Sequence, residues 1–179
     1  MFMGRAREQW LETGLDVLVS DGSPGLTIDH LCTRLSKTKG SFYHHFAGRE
    51  DFCNALLEHW EQKHTDDLIK ATNEKEPGLA LSELDRFARA LPFDRESAFR
   101  RWAQASPQAA EVVRRVDTRR VAYVEELLIS KGTPGDLAHT LAWLEYSLLL
   151  GASSLRDVLP EEERRKMHRL VRQLEEDNS

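Results

Sequence analysis

The sequence predicts an all-α protein in which a three-helix head precedes a larger helical bundle. Apolar residues recur every three or four positions along nearly all of its 179 residues, and turn-forming residues punctuate the pattern. No stretch alternates as a strand does, and no repeat or low-complexity tract interrupts the series. Between residues 27 and 49, two short segments flank a polar break, which is how a helix-turn-helix looks in sequence.

Leu11, Leu15, Leu18 and Val19 place a first helix at residues 5–20, stopped by Asp21-Gly22-Ser23-Pro24-Gly25. Thr27 can cap a second helix with apolar positions Ile28, Leu31, Cys32 and Leu35. Ser36 to Lys39 breaks it, and a third helix is expected over 40–46. After Ala47-Gly48, Phe52, Leu56, Leu57 and Trp60 open a longer helix reaching about Thr72. Further helices are expected at 79–91, 95–105, 107–131, 136–156 and 160–176. Breaks fall at Pro92, Ser106, Gly132 to Gly135 and Pro160, with Pro107 and Pro160 in first turns. The total is about nine helices, divided into a head at 1–48 and a larger helical bundle at 49–179.

The helix at 136–156 is apolar nearly all round: Leu137, Leu141, Trp143, Leu144, Tyr146, Leu148, Leu150 and Leu155 cover every side. Such a helix must be buried on more than one face. With Gly151, Ala152, Ser153 and Ser154 permitting close approach, a homodimer through the last two helices is expected.

The net charge of −5 excludes a uniformly basic surface, but the charge is unevenly spread. In residues 1–50 six cations balance six carboxylates, so the acidity lies beyond. Within the neutral part, Arg34, Lys37, Lys39 and Arg49 cluster with His44 and His45, a patch suited to phosphate. No apolar run approaches the roughly 20 residues that span a bilayer, and no apolar stretch follows Arg5 and Arg7. A cytoplasmic address without membrane association is therefore expected. Cys32 and Cys53 sit where small core residues fit and are expected as thiols.

At ~100° per residue, Phe42 and Phe46 share one face of the third helix while Ser41, His44 and His45 occupy the other, with Thr38 nearby and Tyr43 at its edge. A helix this short fits the roughly 12 Å wide major groove. Thr38, Ser41 and His44 are candidates for reading bases; Thr27, Lys39, Tyr43, His45 and Arg49 are candidates for phosphate. Gly40 allows a tight entry, with N–H groups open to a phosphate oxygen.

The run Gly40-Ser41-Phe42-Tyr43-His44-His45-Phe46, followed by Arg49 and Phe52, resembles the DNA-binding domain of the TetR family of bacterial transcriptional regulators. The likeness covers about residues 8 to 55. It implies phosphate contacts from Thr27, Tyr43 and Arg49, groove entry by 38–44, dimerisation by the last two helices and a small-molecule pocket among the central ones. One feature departs from it: Gly-Val usually precedes the third helix, where this chain has Ser36-Lys37. Lys37 either snorkels or adds a phosphate contact, and the latter is favoured.

For the ligand, the candidates are the central aromatics Trp60, Phe87, Phe99, Trp102, Tyr123, Trp143 and Tyr146, with His64 as a polar partner. No metal site is expected, because Glu58, His59 and His64 lack the i, i+4 spacing of a helical ligand pair. No nucleophile-base spacing or Gly-rich phosphate loop suggests an enzyme or a cofactor. The expected function is operator binding to double-stranded DNA, with repression relieved by a small molecule. The alternative is a helical ligand- or partner-binding protein with degraded DNA recognition.

Overall fold

A computed structural model describes residues 2–90, 93–155 and 157–176. Helix α1 is Phe2–Asp21, α2 is Ile28–Leu35 and α3 is Lys39–Tyr43. Helix α4 begins as Arg49–Glu61, widens to π-type hydrogen bonding over Gln62–Asp66, and resumes as Asp67–Thr72. Then come α5 (Pro77–Ala90), α6 (Phe93–Ala105), α7 (Pro107–Lys131), α8 (Gly135–Ser154) and α9 (Glu161–Glu176). With α4 taken as one run, the described residues form nine α-helices and no strand. Leu91, Pro92 and Arg156, expected at helix ends or breaks, lie outside the described residues, as does the Ser153 side chain.

The helix boundaries have identifiable chemical causes. Thr27 accepts a hydrogen bond from the His30 N–H (3.3 Å) and caps α2; Thr38 accepts from the Ser41 N–H (3.3 Å) and caps α3. Pro107 occupies the first position of α7, whereas Pro160 stands just before α9 rather than in its first turn. Helix α3 is shorter than expected: its regular span ends at Tyr43, before Ala47 and Gly48 force the chain away. Hydrogen bonds from His44 N–H to the Gly40 carbonyl (3.1 Å) and from Phe46 N–H to the Phe42 carbonyl (3.0 Å) still carry helical geometry one turn further. The two-faced arrangement therefore holds through Phe46.

The end of α2 explains Ser36-Lys37. Ser36 takes a left-handed backbone (φ 53°); its N–H donates to the Thr33 carbonyl (3.2 Å) and that of Lys37 to the Cys32 carbonyl (2.9 Å). These bonds form the Schellman termination, in which glycine favours the left-handed position and an apolar residue commonly follows. Serine bears the cost of its Cβ there. Ser36→Gly is expected to raise the unfolding free energy by about 0.5–1 kcal/mol, the relief of strain being partly offset by a more flexible unfolded chain. A urea midpoint equal to or below that of the wild type would contradict this.

The chain forms two compact units, residues 1–66 with 92–114 and residues 67–91 with 115–179. The first contains the whole head together with the start of α4, α6 and the start of α7. Trp10, Leu15 and Leu18 of α1, Leu31 of α2, Phe42 of α3, Phe46, and Phe52 and Leu56 of α4 form its fully buried centre. Gly14 lets α1 approach the Phe52 ring, since a Cβ there would lie 2.6 Å from it. A polar tie joins three helices at the edge: Glu12 accepts from Arg95 (3.0 Å) and meets His59 Nε2 (2.9 Å), while Arg95 also reaches Asp16 (3.2 Å). Burial pushes the Glu12 carboxyl up, but the hydrogen bonds and charges of His59 and Arg95 outweigh it and hold the group below its ordinary value. Cys32 and Cys53 are buried free thiols.

In the second unit, Val121 and Leu128 of α7 pack with Ala138, Leu141, Ala142, Tyr146 and Leu148 of α8 and Val171 of α9. Tyr146 donates to Asp117 (2.6 Å) and accepts from Arg120 (3.3 Å); Tyr123 and Thr72 share a hydrogen bond of 2.9 Å. Trp143, Leu144, Met167, Leu170 and Leu174 are exposed. The last three form one stripe along α9, spaced i, i+3, i+7.

Candidate nucleic-acid interface

Helix α3 is too short to be stable alone, so its aromatic anchor determines where its other face points. Phe42 has no solvent exposure and packs on Trp10 (5.4 Å, edge to face), Phe46 (5.2 Å) and Phe52 (5.7 Å). Opposite it lie Tyr43, 55% exposed, exposed His44, and half-buried Ser41 and His45. Thr38, Lys39 and Gly40 are also exposed. The anticipated face is thus assembled in one place.

The threonine hydroxyls act as acceptors in their caps, which leaves each O–H free to donate to an incoming oxygen. Two of the expected phosphate cations have partners within the protein. Lys39 pairs with Asp29 (2.6 Å), which pushes its ammonium up by hydrogen bond and charge; both groups are exposed and exchange readily with solvent ions. Arg49 donates from Nε to the Leu26 carbonyl (2.7 Å) and from its terminal nitrogen to that of Ser23 (3.1 Å). It ties the start of α4 to the turn between α1 and α2, leaving only the remaining N–H groups of its fork for a phosphate.

Lys37 is half-buried beside Leu35 in a groove of about 540 Å³ along α1, which Arg5, Glu8, Gln9, Glu12, Thr13 and Asp16 complete. Arg7 is a residue that spacing did not reveal. Its guanidinium lies over the Phe46 ring, 5.2 Å from the centroid, near His45 although 38 positions separate them in sequence. Partial burial, and then the charges of His44, Lys37 and Arg7, push His45 below its ordinary value.

The ligand candidates are divided between the two units. Trp60, His64, Phe99 and Trp102 belong to the first, Phe87, Tyr123, Trp143 and Tyr146 to the second. Trp60 stacks on Phe99 (4.4 Å, 18° between planes), which adjoins Trp102 at 6.0 Å, and the first two are fully buried. Reaching them requires this core to open. Phe87 lies beneath Arg86 (4.8 Å), and Trp143 is exposed on α8. Among the described residues, no three potential metal ligands converge.

No family model and no curated protein matches the chain. Among solved structures it is similar to a transcriptional regulator from Rhodococcus sp. Rha1, at 21% identity over 92% of each chain with a TM-score of 0.70. It is also similar to a proposed transcriptional regulator from Saccharomonospora viridis in complex with choline (14% identity, 98% of this chain and 97% of that one, TM-score 0.76). A third is a TetR/AcrR-type transcriptional regulator from Aquifex aeolicus VF5, at 21% identity over 94% of this chain and 96% of the other, with a TM-score of 0.64. At these identities the likeness establishes the fold.

Proposed function

We propose that this chain, which has the fold of TetR/AcrR-type regulators, is a cytoplasmic, homodimeric DNA-binding transcription factor, a repressor that a small molecule releases from its operator. The observation that carries this reading is the face of exposed Tyr43 and His44 and half-buried Ser41 on a helix held by buried Phe42 and Phe46. Thr38, Ser41 and His44 read base edges, while Thr27, Lys37, Lys39, Gly40, Tyr43, His45 and Arg49 hold the backbone. The exposed stripe of α9 and Trp143 and Leu144 of α8 support pairing of two chains through these helices. No described helix is long and apolar enough to cross a membrane.

Release follows if a ligand binds more tightly to a head spacing that no longer matches half-sites about 34–36 Å apart. The aromatic candidates and the choline held by one structural relative support a small-molecule role for the central helices. Salt titration of duplex binding provides the test. The logarithm of affinity should fall linearly with the logarithm of salt, by about 0.9 per phosphate neutralised. Absence of binding to duplex DNA even at low salt would sink the reading. It would favour instead a helical ligand- or partner-binding protein, a reading supported by the internal engagement of Lys39 and Arg49.

A further inference from the structure

Cations in the first unit commonly have carboxylates: Lys39 has Asp29, Lys63 has Glu8, and Arg95 has Glu12 and Asp16. Four groups at the exit of α3, like Arg34 on Ser20 and Arg49 on two carbonyls, do not. Arg7 comes from α1, Lys37 from the turn after α2, and His44 and His45 from the last turn of the recognition segment. Among the described residues none of the four has a carboxylate partner. The two imidazoles lie 5.0 Å apart edge to face, His45 lies 6.3 Å from the Phe46 ring that carries the Arg7 guanidinium, and the Lys37 charge acts on His45.

We propose that Arg7, Lys37 and His45 form one phosphodiester site beside the base-reading His44, and that protonation of the two histidines sets how tightly DNA is held. The proposal rests on the DNA-binding reading above and adds Arg7 and proton linkage to it. Partial burial, and then the charges of His44, Lys37 and Arg7, oppose protonation of His45 in the free protein. A phosphodiester among them reverses that balance, because each imidazolium then gains a negative partner and donates a charge-assisted hydrogen bond.

The carboxylates nearby are engaged: Glu12 and Asp16, which share the Lys37 groove, are held by Arg95, and Glu12 also by His59. Asp51 of α4 accepts from the Ala47 N–H (2.8 Å), and Glu8 of α1 faces Lys63 (3.8 Å). The depressed state of His45 is consistent with this balance. DNA binding must then take up protons, so affinity rises as pH falls between the histidines' bound and free pKa values.

The test is fluorescence anisotropy of the full chain with a random-sequence duplex of about 30 base pairs, roughly three helical turns. At constant ionic strength, wild-type affinity should rise roughly tenfold from about pH 8 to about pH 6. His44→Asn with His45→Asn should flatten that dependence, and His44→Asn alone should reduce it. Arg7→Gln should weaken binding at every pH and lower the salt slope by about 0.9, the mark of one lost phosphate contact. A flat wild-type profile, an unchanged pH slope in the double variant, or an unchanged salt slope in Arg7→Gln would overturn the proposal while leaving DNA binding intact. Failure of the wild type to bind at any pH would overturn both.

Discussion

Phe42→Ala is expected to destabilise the first unit by about 3–5 kcal/mol and to abolish duplex binding, an effect larger than the loss of any single exposed contact. Phe42 is fully buried and touches Trp10, Phe46, Phe52 and the Tyr43 ring (5.7 Å), so its removal leaves a cavity among large, rigid groups. Five residues of helix have no stability of their own, and Ser41, Tyr43 and His44 would lose their common orientation with the anchor. Urea unfolding would measure the first effect and duplex anisotropy the second. Phe42→Leu should retain most of both, because it preserves much of the volume. A loss below about 1 kcal/mol in Phe42→Ala would show that the pocket collapses to compensate and that other contacts orient α3.

The second large effect is expected from Leu170→Glu combined with Leu174→Glu. These side chains are 61% and 48% exposed, so the charges should leave the fold of the single chain intact. If α9 and α8 pair two chains, two carboxylates placed on each apolar stripe face their copies and must be desolvated without partners. Light scattering should then give the mass of one chain, about 20.5 kDa. Affinity for a palindromic site should fall by about 10²–10⁴, because the second head no longer benefits from tethering to the first. A wild-type mass near one chain would refute the pairing directly.

Much of the fold was legible because helical burial is periodic. The spacing of Leu11, Leu15 and Leu18, or of Ile28, Leu31 and Cys32, marks a helix without knowledge of its neighbours, and the Thr27 cap acts within one turn. The separation of Phe42 and Phe46 from Ser41 and His44 follows from the same geometry. Less legible were effects arising between segments. Spacing placed Arg49 on the phosphate surface, whereas two carbonyls of the turn between α1 and α2 engage its guanidinium. The central aromatics read as one set, yet Trp60 and Phe99 stack in one unit while Tyr123 and Tyr146 are held by hydrogen bonds in the other.

By itself, then, the sequence determined the helices, their caps and the two faces of the recognition segment, because these depend on interactions within a few residues. Tertiary structure alone decided which charges are already neutralised by partners, which aromatics are sealed in a core, and that Arg7 lies over Phe46 near His45. The physical reason is that burial and Coulomb energy depend on distance in space, and no local period records it.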